Sequence, residues 1–543
     1  MSTQIERLRL HTSSLIARPR SDERERALAR LERERFDLLV VGGGITGAAV
    51  AHAASLEGYR VALVEQQDFA SGTSSRSSRL IHGGLRYLKQ GQVRLVRRCL
   101  QEQQRLAQAA PHLVRPLSLL LPLYSPSRAR LWAHRGGMAL YRALQPKGSE
   151  LLHEHLASGA LLAEEPLLPR AGLEGGYLCR EYLTHDARLV WETVLAASLS
   201  GACTLNYVRL LEFLFARGRV AGGVVCDEFT DRTLEVRARV VVNTTGPWSD
   251  RLTSRIENGS RRLRLTKGVH VILPRRLLPL THGVIFFSRA DKRPLVALPS
   301  DNLVVVGPTE TEYEGEPGRA EPEPQDIEYL LDALASFFPG FPLSPADVQA
   351  RAGLRPLYDQ TGKPPGEVSR AYHIEWQREG LLSVLGGKLT LHAHAAKETL
   401  SVLACSFGPT DAAPRRDRSV VRGLPGALWP RGGPEAVAGK LRESGAGPNT
   451  VAHLLDTYGS RALLVADLLA EEPAWLEPVA PPLPFILAEA IFSMRYEMAT
   501  CAQDFAERRT DLALRAEVEG RSPDLDRLWC AEEAAAESRV IYA

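Results

Sequence analysis

The sequence predicts an α/β protein: a doubly wound, Rossmann-like domain with a largely antiparallel β-sheet domain attached to it, followed by a helical C-terminal domain. The first observation is the order of buried strand, glycine-rich turn, alanine-rich helix and second strand over residues 36–65, which is a βαβ unit of the doubly wound type. The second is a series of later strand-like runs, among them VAGGVVCDEF, GVHVILP and NLVVVG. The third is that mostly helical patterns follow Cys405.

The size and composition are those of a large globular protein. The chain has 543 residues, which is too long for one simple core. Hydrophobic residues make up 44% of it and charged residues 24%, which is ordinary for a soluble protein. The net charge is only +3 and no long unbroken Lys/Arg block occurs, so a nucleic-acid partner is not expected. Seven scattered cysteines without a Cys-x-x-Cys pair predict reduced thiols rather than a disulfide frame or a zinc site.

No segment of the sequence has the pattern of a membrane span. No uninterrupted apolar run reaches the roughly 18 residues that a spanning helix needs. The first 20 residues lack the apolar centre of a signal peptide. We therefore expect a cytoplasmic protein, and contact with a membrane surface is left open.

Changes in composition divide the chain into three parts. Residues 1–35 predict an N-terminal helical extension, because acidic residues and arginines are mixed there with helix formers. Residues 36–404 are expected to hold the Rossmann-like domain, with the second-sheet domain interleaved at roughly 115–180 and 263–350. Residues 405–543 are expected to form the helical C-terminal domain, which begins with the linker-like segment GPTDAAPRRD.

The glycine-rich turn gives the first functional prediction. Its three spaced glycines follow a strand directly and open a helix, and such glycines permit a tight turn, close approach of a pyrophosphate and close packing of the helix. Glu65 ends the second strand, 18 residues after Gly47, where a carboxylate accepts hydrogen bonds from ribose hydroxyls. No second fingerprint of this kind follows a strand, so we expect one redox cofactor. The predicted dinucleotide-binding residues are Gly42, Gly44, Ile45, Thr46, Gly47 and Glu65.

Six further segments carry a resemblance to a known family. They are GTSSRSSRLIHGGLRYL (72–88), EYLTHDARLV (181–190), VVVNTTGPWSD (240–250), LRLTKGVHVILP (263–274), AGLRPLYD (352–359) and LLSVLGGKLT (381–390). In this order they resemble the FAD-dependent glycerol-3-phosphate dehydrogenases of the respiratory, quinone-linked type. The resemblance runs from about Phe36 to Thr390 and continues more weakly through residues 494–514, which are similar to that family's helical C-terminal domain. It implies that the Rossmann-like domain binds FAD.

The residue chemistry and the resemblance together predict how FAD is held. Hydroxyls of the loop at 73–78 can bond flavin or phosphate oxygens, and Gly246 lets the chain pass close to the cofactor. Gly387 and Lys388 precede a predicted helix, whose positive N-terminus would stabilise a reduced flavin together with the lysine charge. The further cofactor-binding residues are Thr73, Ser74, Ser78, Gly84, Leu85, Gly246, Gly387 and Lys388.

Oxidation of a secondary alcohol by a flavin needs a proton acceptor, and a phosphate monoester needs cations such as the planar guanidinium group. By resemblance, the substrate-binding residues are Arg86, Tyr87, His270, Arg355, Arg370 and Thr390, and the catalytic residues are His270, Arg355 and Lys388. We expect Arg355 and Arg370 to be the main phosphate-binding groups and His270 to be the proton acceptor. A metal pair is not expected, because His392 and His394 are two residues apart and do not share a helix face.

Two segments depart from the pattern of this family. Gly307-Pro308-Thr309-Glu310 stands where the family usually has Gly-Thr-Thr-Asp, so a proline removes an N–H and the carboxylate has a longer arm. Leu391-His392-Ala393 stands where the family tends to have a threonine, a tyrosine and an arginine. We expect any difference from the family to lie in cofactor tuning and substrate identity. The later run FAERRTDLAL (505–514) predicts a helix with a basic face. We expect this face to be solvated, and the alternative is an anion site in the C-terminal domain.

The resemblance implies oxidation of sn-glycerol 3-phosphate to dihydroxyacetone phosphate, with hydride transfer to FAD and electrons passed on to a membrane quinone. It also implies peripheral contact with the inner face of the cytoplasmic membrane, while a homodimer is left open. One alternative is an FAD-dependent oxidase or dehydrogenase of another hydroxy or amino acid on the same fold. A second is a flavin-binding protein that has lost catalysis.

Overall fold

A computed structural model gives the fold of the protein. The structure describes residues 20–88, 90–124, 128–146, 153–254, 256, 261–359, 368–406 and 423–524. The predicted linker at 408–417 and residues 1–19 of the predicted N-terminal extension lie outside the described residues, as does the side chain of Arg86.

Eighteen strands lie within the described residues. They are β1 (Arg35–Val41), β2 (Val61–Val64), β3 (Leu80–Ile81), β4 (Arg115–Tyr124), β5 (Glu154–Ala157), β6 (Leu173–Leu183), β7 (Cys203–Leu205), β8 (Val208–Ala216), β9 (Arg219–Asp227), β10 (Thr233–Asn243), β11 (Leu263–Pro274), β12 (Gly283–Phe287), β13 (Pro294–Ser300), β14 (Leu303–Gly307), β15 (Thr311–Glu312), β16 (Gln349–Tyr358), β17 (Tyr372–Arg378) and β18 (Leu381–Gly386).

The helices of the described residues cover the sheets and form most of the C-terminal part. They are α1 (Arg20–Arg33), α2 (Ile45–Leu56), α3 (Leu85–Leu88), α4 (Val93–Ala109), α5 (Arg128–Leu144), α6 (Ser158–Glu164), α7 (Asp186–Leu199), α8 (Ser249–Thr253), α9 (Pro324–Phe337), α10 (His392–Ser406), α11 (Gly433–Glu443), α12 (Pro448–Tyr458), α13 (Ala462–Glu471), α14 (Leu487–Tyr496), α15 (Ala502–Asp504) and α16 (Leu512–Val518). None of these helices is both long and apolar enough to cross a bilayer.

The first sheet forms the Rossmann-like domain. Its strand order is β17-β18-β10-β1-β2-β7, and the antiparallel strands β9 and β8 extend it from β10. The strands from β18 to β7 in this order are parallel to one another. Helices α2, α7 and α10 cover one face, while α1 packs with β8 and β9 on the other. Because both faces are buried, the strands β1 and β2 are apolar at nearly every position rather than alternating.

The second sheet has the order β15-β11-β14-β13-β12-β4-β6-β3, with β16 paired to β11 and β5 paired to β6. Its neighbouring strands are antiparallel except for β4 and β12, which pair in parallel. Helix α9 covers one face, where Leu330 and Leu334 pack against the buried side chains of β11. The largely antiparallel second sheet is thus present, but the run VAGGVVCDEF does not belong to it, because β9 pairs with β10 in the first sheet. The domain boundaries expected from the sequence stay a prediction.

The helices that follow residue 423 pack around a core of their own, separate from the cores of the two sheets. The prediction of a solvated basic helix at 505–514 is wrong. Residues Phe505–Arg509 form a π-helical turn, and Arg508 and Arg509 are only 9% and 0% exposed. Both arginines pair with the buried Asp68 of the Rossmann-like domain, which compensates their charge. Helical periodicity could not show a partner that lies more than 400 residues away in the sequence.

Candidate active site

The glycine-rich turn lies at the carboxyl end of β1. Gly42 has a φ of +107°, and a Cβ atom there would lie 2.7 Å from the carbonyl oxygen of Thr244. A Cβ atom on Gly47 would overlap the carbonyl oxygen of Gly42. Both positions therefore require glycine, since the obstructing atoms belong to the backbone. Helix α2 begins directly after Gly44, its N-cap, so the N–H groups of its first turn, which have no acceptor within the helix, and its positive end form an anion-binding site suited to a pyrophosphate.

Glu65 connects the end of β2 to the glycine-rich turn. Its Oε2 accepts a hydrogen bond from the N–H of Gly43 at 2.6 Å, and its Oε1 accepts one from the N–H of Gln67 at 3.0 Å. Burial raises the pKa of Glu65 to about 7, although these backbone donors oppose the increase. A carboxylate has further lone pairs, which can accept hydrogen bonds from ribose hydroxyls. The position of Glu65 is compatible with its predicted role.

The ends of β10 and β18 lie on the same edge of the first sheet as the end of β1, because the three strands are parallel neighbours. Gly246 has a φ of +54°, and a Cβ atom there would meet no atom within 4 Å, so open space adjoins it. Gly387, after β18, also has a positive φ, +108°. The Thr390 hydroxyl is buried and has no hydrogen-bond partner among the described residues. A helix N-terminus, open space and an unsatisfied buried hydroxyl along one edge fit the binding of FAD.

The hydroxyls of the loop at 73–78 mostly contact the protein itself. The Oγ of Ser74 accepts a hydrogen bond from the N–H of Ile45 at 3.1 Å, at the first turn of α2 that also contains Thr46. The Oγ1 of Thr73 donates to the carbonyl oxygen of Leu354 at 2.7 Å. These bonds hold the loop between the two sheets. Because a hydroxyl can donate while it accepts, Ser74 keeps a proton with which it can bond a phosphate oxygen.

His270 and Arg355 lie on the paired strands β11 and β16 of the second sheet. The Nε2 of His270 is 2.8 Å from the Oγ of Ser78. Burial, together with the positive charge of Arg355, lowers the pKa of His270 to about 3. Arg355 donates to the carbonyl oxygen of Thr309 at 3.4 Å. A Cβ atom on Gly268 would overlap the Arg355 guanidinium, so this glycine leaves the space that the arginine occupies.

Arg370 lies next to Glu310, one of the residues at which the sequence departs from the family. Oε1 of Glu310 pairs with Nη2 of Arg370, and Oε2 accepts a hydrogen bond from Nη1 of Arg293 at 3.0 Å. The side chains of Arg370 and Glu310 are only 8% and 4% exposed. Since Thr309 contacts Arg355 and Glu310 contacts Arg370, the two predicted phosphate-binding arginines converge on one dipeptide.

Lys388 connects the end of β18 to the HGGLRYL segment. Its Nζ lies 5.0 Å from the ring centroid of Tyr87, the geometry of a cation–π contact. Tyr87 is buried, and a Cβ atom on Gly84 would overlap its ring. Leu85 begins α3 and packs beside the same tyrosine, whereas the side chain of Arg86 lies outside the described residues. Lys388 therefore contacts this segment through the ring of Tyr87.

The structure adds residues that the sequence interpretation did not select. Gly268 is one of them, although a glycine inside an apolar strand run such as KGVHVIL indicates close approach by another group. Arg293 is another, and a basic residue in a charged turn such as SRADKRP carries no such indication. Ser78 was predicted to bind the cofactor, but the hydroxyl is placed against His270. Among the described residues, no group of three or more His, Cys, Asp or Glu side chains could hold a metal ion.

Comparison with known families assigns both parts of the chain. Residues 37–393 match the family described as FAD dependent oxidoreductase, which is more than half of the chain. Residues 422–522 match the C-terminal domain of alpha-glycerophosphate oxidase. The second match covers the helices that pack around the separate C-terminal core.

Individual relatives support the same assignment. An aerobic glycerol-3-phosphate dehydrogenase of Staphylococcus saprophyticus is 34% identical over 498 residues, which are 90% of this chain and 89% of the relative. The X-ray structure of a glycerol-3-phosphate dehydrogenase from Bacillus halodurans complexed with FAD has a TM-score of 0.76 and 29% identity, and the match covers 94% of this chain and 93% of that one. An L-alpha-glycerophosphate oxidase from Mycoplasma pneumoniae with FAD bound has a TM-score of 0.54 and 17% identity over 68% of this chain and 95% of that one, which shows a shared fold.

These matches confirm the predicted α/β fold and identify FAD as the cofactor. The chain is an enzyme, an oxidoreductase. It belongs to the family of FAD-dependent glycerol-3-phosphate dehydrogenases.

Proposed function

We propose that this enzyme oxidises sn-glycerol 3-phosphate to dihydroxyacetone phosphate. The observation that carries the proposal is the convergence of Arg355 and Arg370 on Thr309 and Glu310, next to the uncharged His270. The relatives named for glycerol 3-phosphate support the choice of substrate. The residues expected from the sequence to bind FAD and substrate are part of this proposal.

The planar guanidinium groups at the proposed substrate site are suited to a phosphate. Those of Arg293, Arg355 and Arg370 lie at Glu310 or at the dipeptide that contains it, and Arg293 also pairs with Asp291. A guanidinium group can bind a phosphate through two parallel hydrogen bonds. A phosphate monoester carries nearly two negative charges at neutral pH, whereas a hydroxy acid or amino acid offers one carboxylate.

FAD supplies the hydride acceptor when it is bound. His270 is uncharged at neutral pH because burial lowers its pKa to about 3, so it has a nitrogen lone pair that can take the hydroxyl proton of the substrate. The hydrogen bond between His270 and Ser78 holds the imidazole in one orientation. A phosphate bound to Arg355 would offset a charge that depresses this pKa, so substrate binding makes His270 a stronger base.

We also propose that the electrons pass to a membrane quinone, through peripheral contact with the inner face of the cytoplasmic membrane. The resemblance to quinone-linked dehydrogenases supports this acceptor. Parallel assays of quinone reduction and of oxygen consumption by the purified enzyme distinguish a dehydrogenase from an oxidase. Sedimentation of the same sample distinguishes a monomer from a homodimer.

Anaerobic reduction of the bound flavin tests the substrate directly. We expect sn-glycerol 3-phosphate to bleach the yellow absorbance within seconds, while glycerol, lactate and glycine leave it unchanged. Reduction by lactate or glycine instead would contradict the proposal and favour an enzyme for another hydroxy or amino acid. A flavin that no compound of this panel reduces, although dithionite reduces it, would favour a protein that has lost catalysis.

A further inference from the structure

Asp68 is a buried carboxylate to which two arginines of the C-terminal domain bind. Its Oδ2 accepts hydrogen bonds from Nε of Arg508 at 2.8 Å and from Nη1 of Arg509 at 2.7 Å. Its Oδ1 accepts hydrogen bonds from Nη2 of Arg509 at 2.9 Å and from the amide of Asn206 at 2.9 Å. The carboxylate is 0% exposed. All of its bonding capacity is thus used inside the protein.

The loop that carries Asp68 also packs against the glycine-rich turn that is proposed to bind FAD. Ala70 donates its N–H to the carbonyl oxygen of Gly43 at 3.1 Å. Glu65, at the start of the same loop, accepts the N–H of Gly43. A Cβ atom on Gly43 would lie 2.5 Å from the ring of Phe69, so this ring packs directly against the turn. Residues 65–70 therefore contact the turn through one backbone N–H, one side-chain carboxylate and one aromatic ring.

A second route joins Arg509 to the same turn. The Arg509 guanidinium lies 4.6 Å from the ring centroid of Trp191, a cation–π contact. The ring of Trp191 lies 6.1 Å from that of Phe69. Arg509 therefore supports the loop through Asp68 on one side and through Trp191 and Phe69 on the other.

The backbone of the C-terminal domain is distorted where it supplies these arginines. Successive residues of an α-helix point about 100° apart, so two neighbouring arginines do not normally reach one carboxylate. Here they lie at the end of the π-helical turn Phe505–Arg509, and such turns are frequent at functional sites. Arg508 also donates to Asp504 at 2.5 Å and to Glu507 at 3.1 Å, so Asp68 is the carboxylate that the two arginines share. Loss of the charge on Asp68 removes the buried counter-charge that Arg508 and Arg509 have in common.

We propose that Asp68 and the Arg508–Arg509 pair are positioning residues for FAD, through which the docked C-terminal domain holds the glycine-rich turn in its binding geometry. The affinity for FAD then depends on a domain that lies outside the Rossmann-like sheet. By thermodynamic linkage, FAD binding must strengthen the docking of that domain by the same factor. The proposal applies whichever substrate the enzyme oxidises.

The test compares Asp68→Asn with Glu192→Gln in the full-length protein. Glu192 is a matched control, because it is also 0% exposed and, within the described part of the chain, its carboxylate bonds to Arg188, Arg461 and Gly426 rather than to residues 65–70. Apoprotein is titrated with FAD, and the dissociation constant is read from the quenching of flavin fluorescence. We expect Asp68→Asn to weaken FAD binding about tenfold or more, within the usual range of coupling between sites. Glu192→Gln is expected to keep a nearly wild-type dissociation constant.

Equal dissociation constants for the two variants would overturn the proposal and leave the cluster a purely structural contact. Arg509→Lys serves as a milder variant should Asp68→Asn fail to fold. It keeps the charge but loses the two-pronged contact, and we expect a smaller but measurable loss of FAD affinity. Hydrogen exchange gives the reciprocal measurement: FAD should protect the amides of residues 505–518 in the wild type and protect them less in Arg509→Lys. Equal protection in both proteins would also contradict the proposal.

Discussion

The two halves of the proposed active site, one for FAD and one for the substrate, are built in different ways. On the FAD side, the glycine-rich turn and Glu65 lie within 24 residues of one another, and their geometry depends on backbone atoms that glycine leaves accessible. On the substrate side, His270, Arg355 and Arg370 come from distant segments and depend on other side chains. A motif of consecutive residues can describe the first half but not the second.

This difference decides where substitutions act. Backbone atoms cannot move away from a new side chain, so the FAD side should tolerate almost no increase in size at its tightest positions. The substrate side is a set of charges and counter-charges, so changes there should alter affinity and turnover while the fold remains intact. The four predictions that follow test this contrast, from the largest expected effect to the smallest.

Gly47→Ala should have the largest effect, because the new Cβ atom would overlap the carbonyl oxygen of Gly42. We expect a loss of about 3 kcal/mol of stability and protein that purifies without yellow colour. The measurements are FAD content per chain and the thermal unfolding midpoint. Gly44→Ala is the control for stability alone, because the pyrophosphate is expected to approach this glycine: its Cβ atom would lie 3.2 Å from the Oγ of Ser74, which is a side-chain atom that can shift, so the unfolding midpoint should change little. A fully flavinated Gly47→Ala protein would contradict the contrast.

The apoprotein should lose stability through Glu65 as the pH rises. Burial raises the pKa of this carboxyl from 4.5 to about 7 in the folded state, so the folded chain holds its proton where the unfolded chain releases it. The contribution of Glu65 is therefore fully present below pH 4.5 and is lost as the pH approaches 7, by about 3 kcal/mol at most. Urea unfolding of wild type and Glu65→Gln at several pH values measures it. A difference between the two proteins that stays constant over this range would show that Glu65 remains ionised.

Arg355→Lys should lower kcat/KM for glycerol 3-phosphate by roughly 30-fold, or about 2 kcal/mol, because lysine cannot reproduce the planar guanidinium. The FAD content should not change, since Arg355 lies on the second sheet. Arg351→Lys on the same strand is the control: Arg351 is exposed and pairs with Glu517. Steady-state kinetics give kcat/KM for both variants. Equal kcat/KM values for Arg355→Lys and Arg351→Lys would show that the phosphate binds elsewhere.

Glu310→Gln should have the smallest effect, and it should strengthen anion binding rather than weaken it. Arg370 and Arg293 would lose their shared counter-ion, so inorganic phosphate should inhibit the variant about fivefold more strongly, or roughly 1 kcal/mol. We expect kcat to fall at the same time, because Arg370 loses the partner that orients it. Inhibition constants for phosphate are also measured for Glu310→Asp, which keeps the charge. The comparison separates the effect of the charge from the effect of side-chain length. Weaker inhibition by phosphate would place Glu310 outside the substrate site.

Much of the architecture could be predicted from the sequence because it rests on local patterns. The spacing of Gly42, Gly44 and Gly47 predicted the start of α2, and the apolar runs around it predicted parallel strands buried on both faces. The six quoted segments carried the resemblance that the family matches confirm, and with it the cofactor. The individual roles of the site residues stay predictions.

The rest could not be predicted, since it depends on pairs that are far apart in the chain. Glu310 was recognised only as a departure from the family, and nothing local indicated that its arm reaches both Arg370 and Arg293. The basic run at 505–514 was expected to face solvent, because adjacent arginines are typical of a surface helix and the sequence does not show that Asp68 lies beside them. In both cases burial of a charge was decided by a counter-charge from another segment.

The strand order of the first sheet gives FAD a part in holding the chain together. The carboxyl ends of β1, β10 and β18 are adjacent in space, although these strands end at residues 41, 243 and 386, far apart in the sequence. A dinucleotide that spans this edge would therefore contact the beginning, the middle and the end of the domain at the same time. Removal of FAD should loosen the loops that follow β1, β10 and β18 rather than these buried strands themselves, and a protease should then cut the apoprotein in these loops more readily than the holoenzyme.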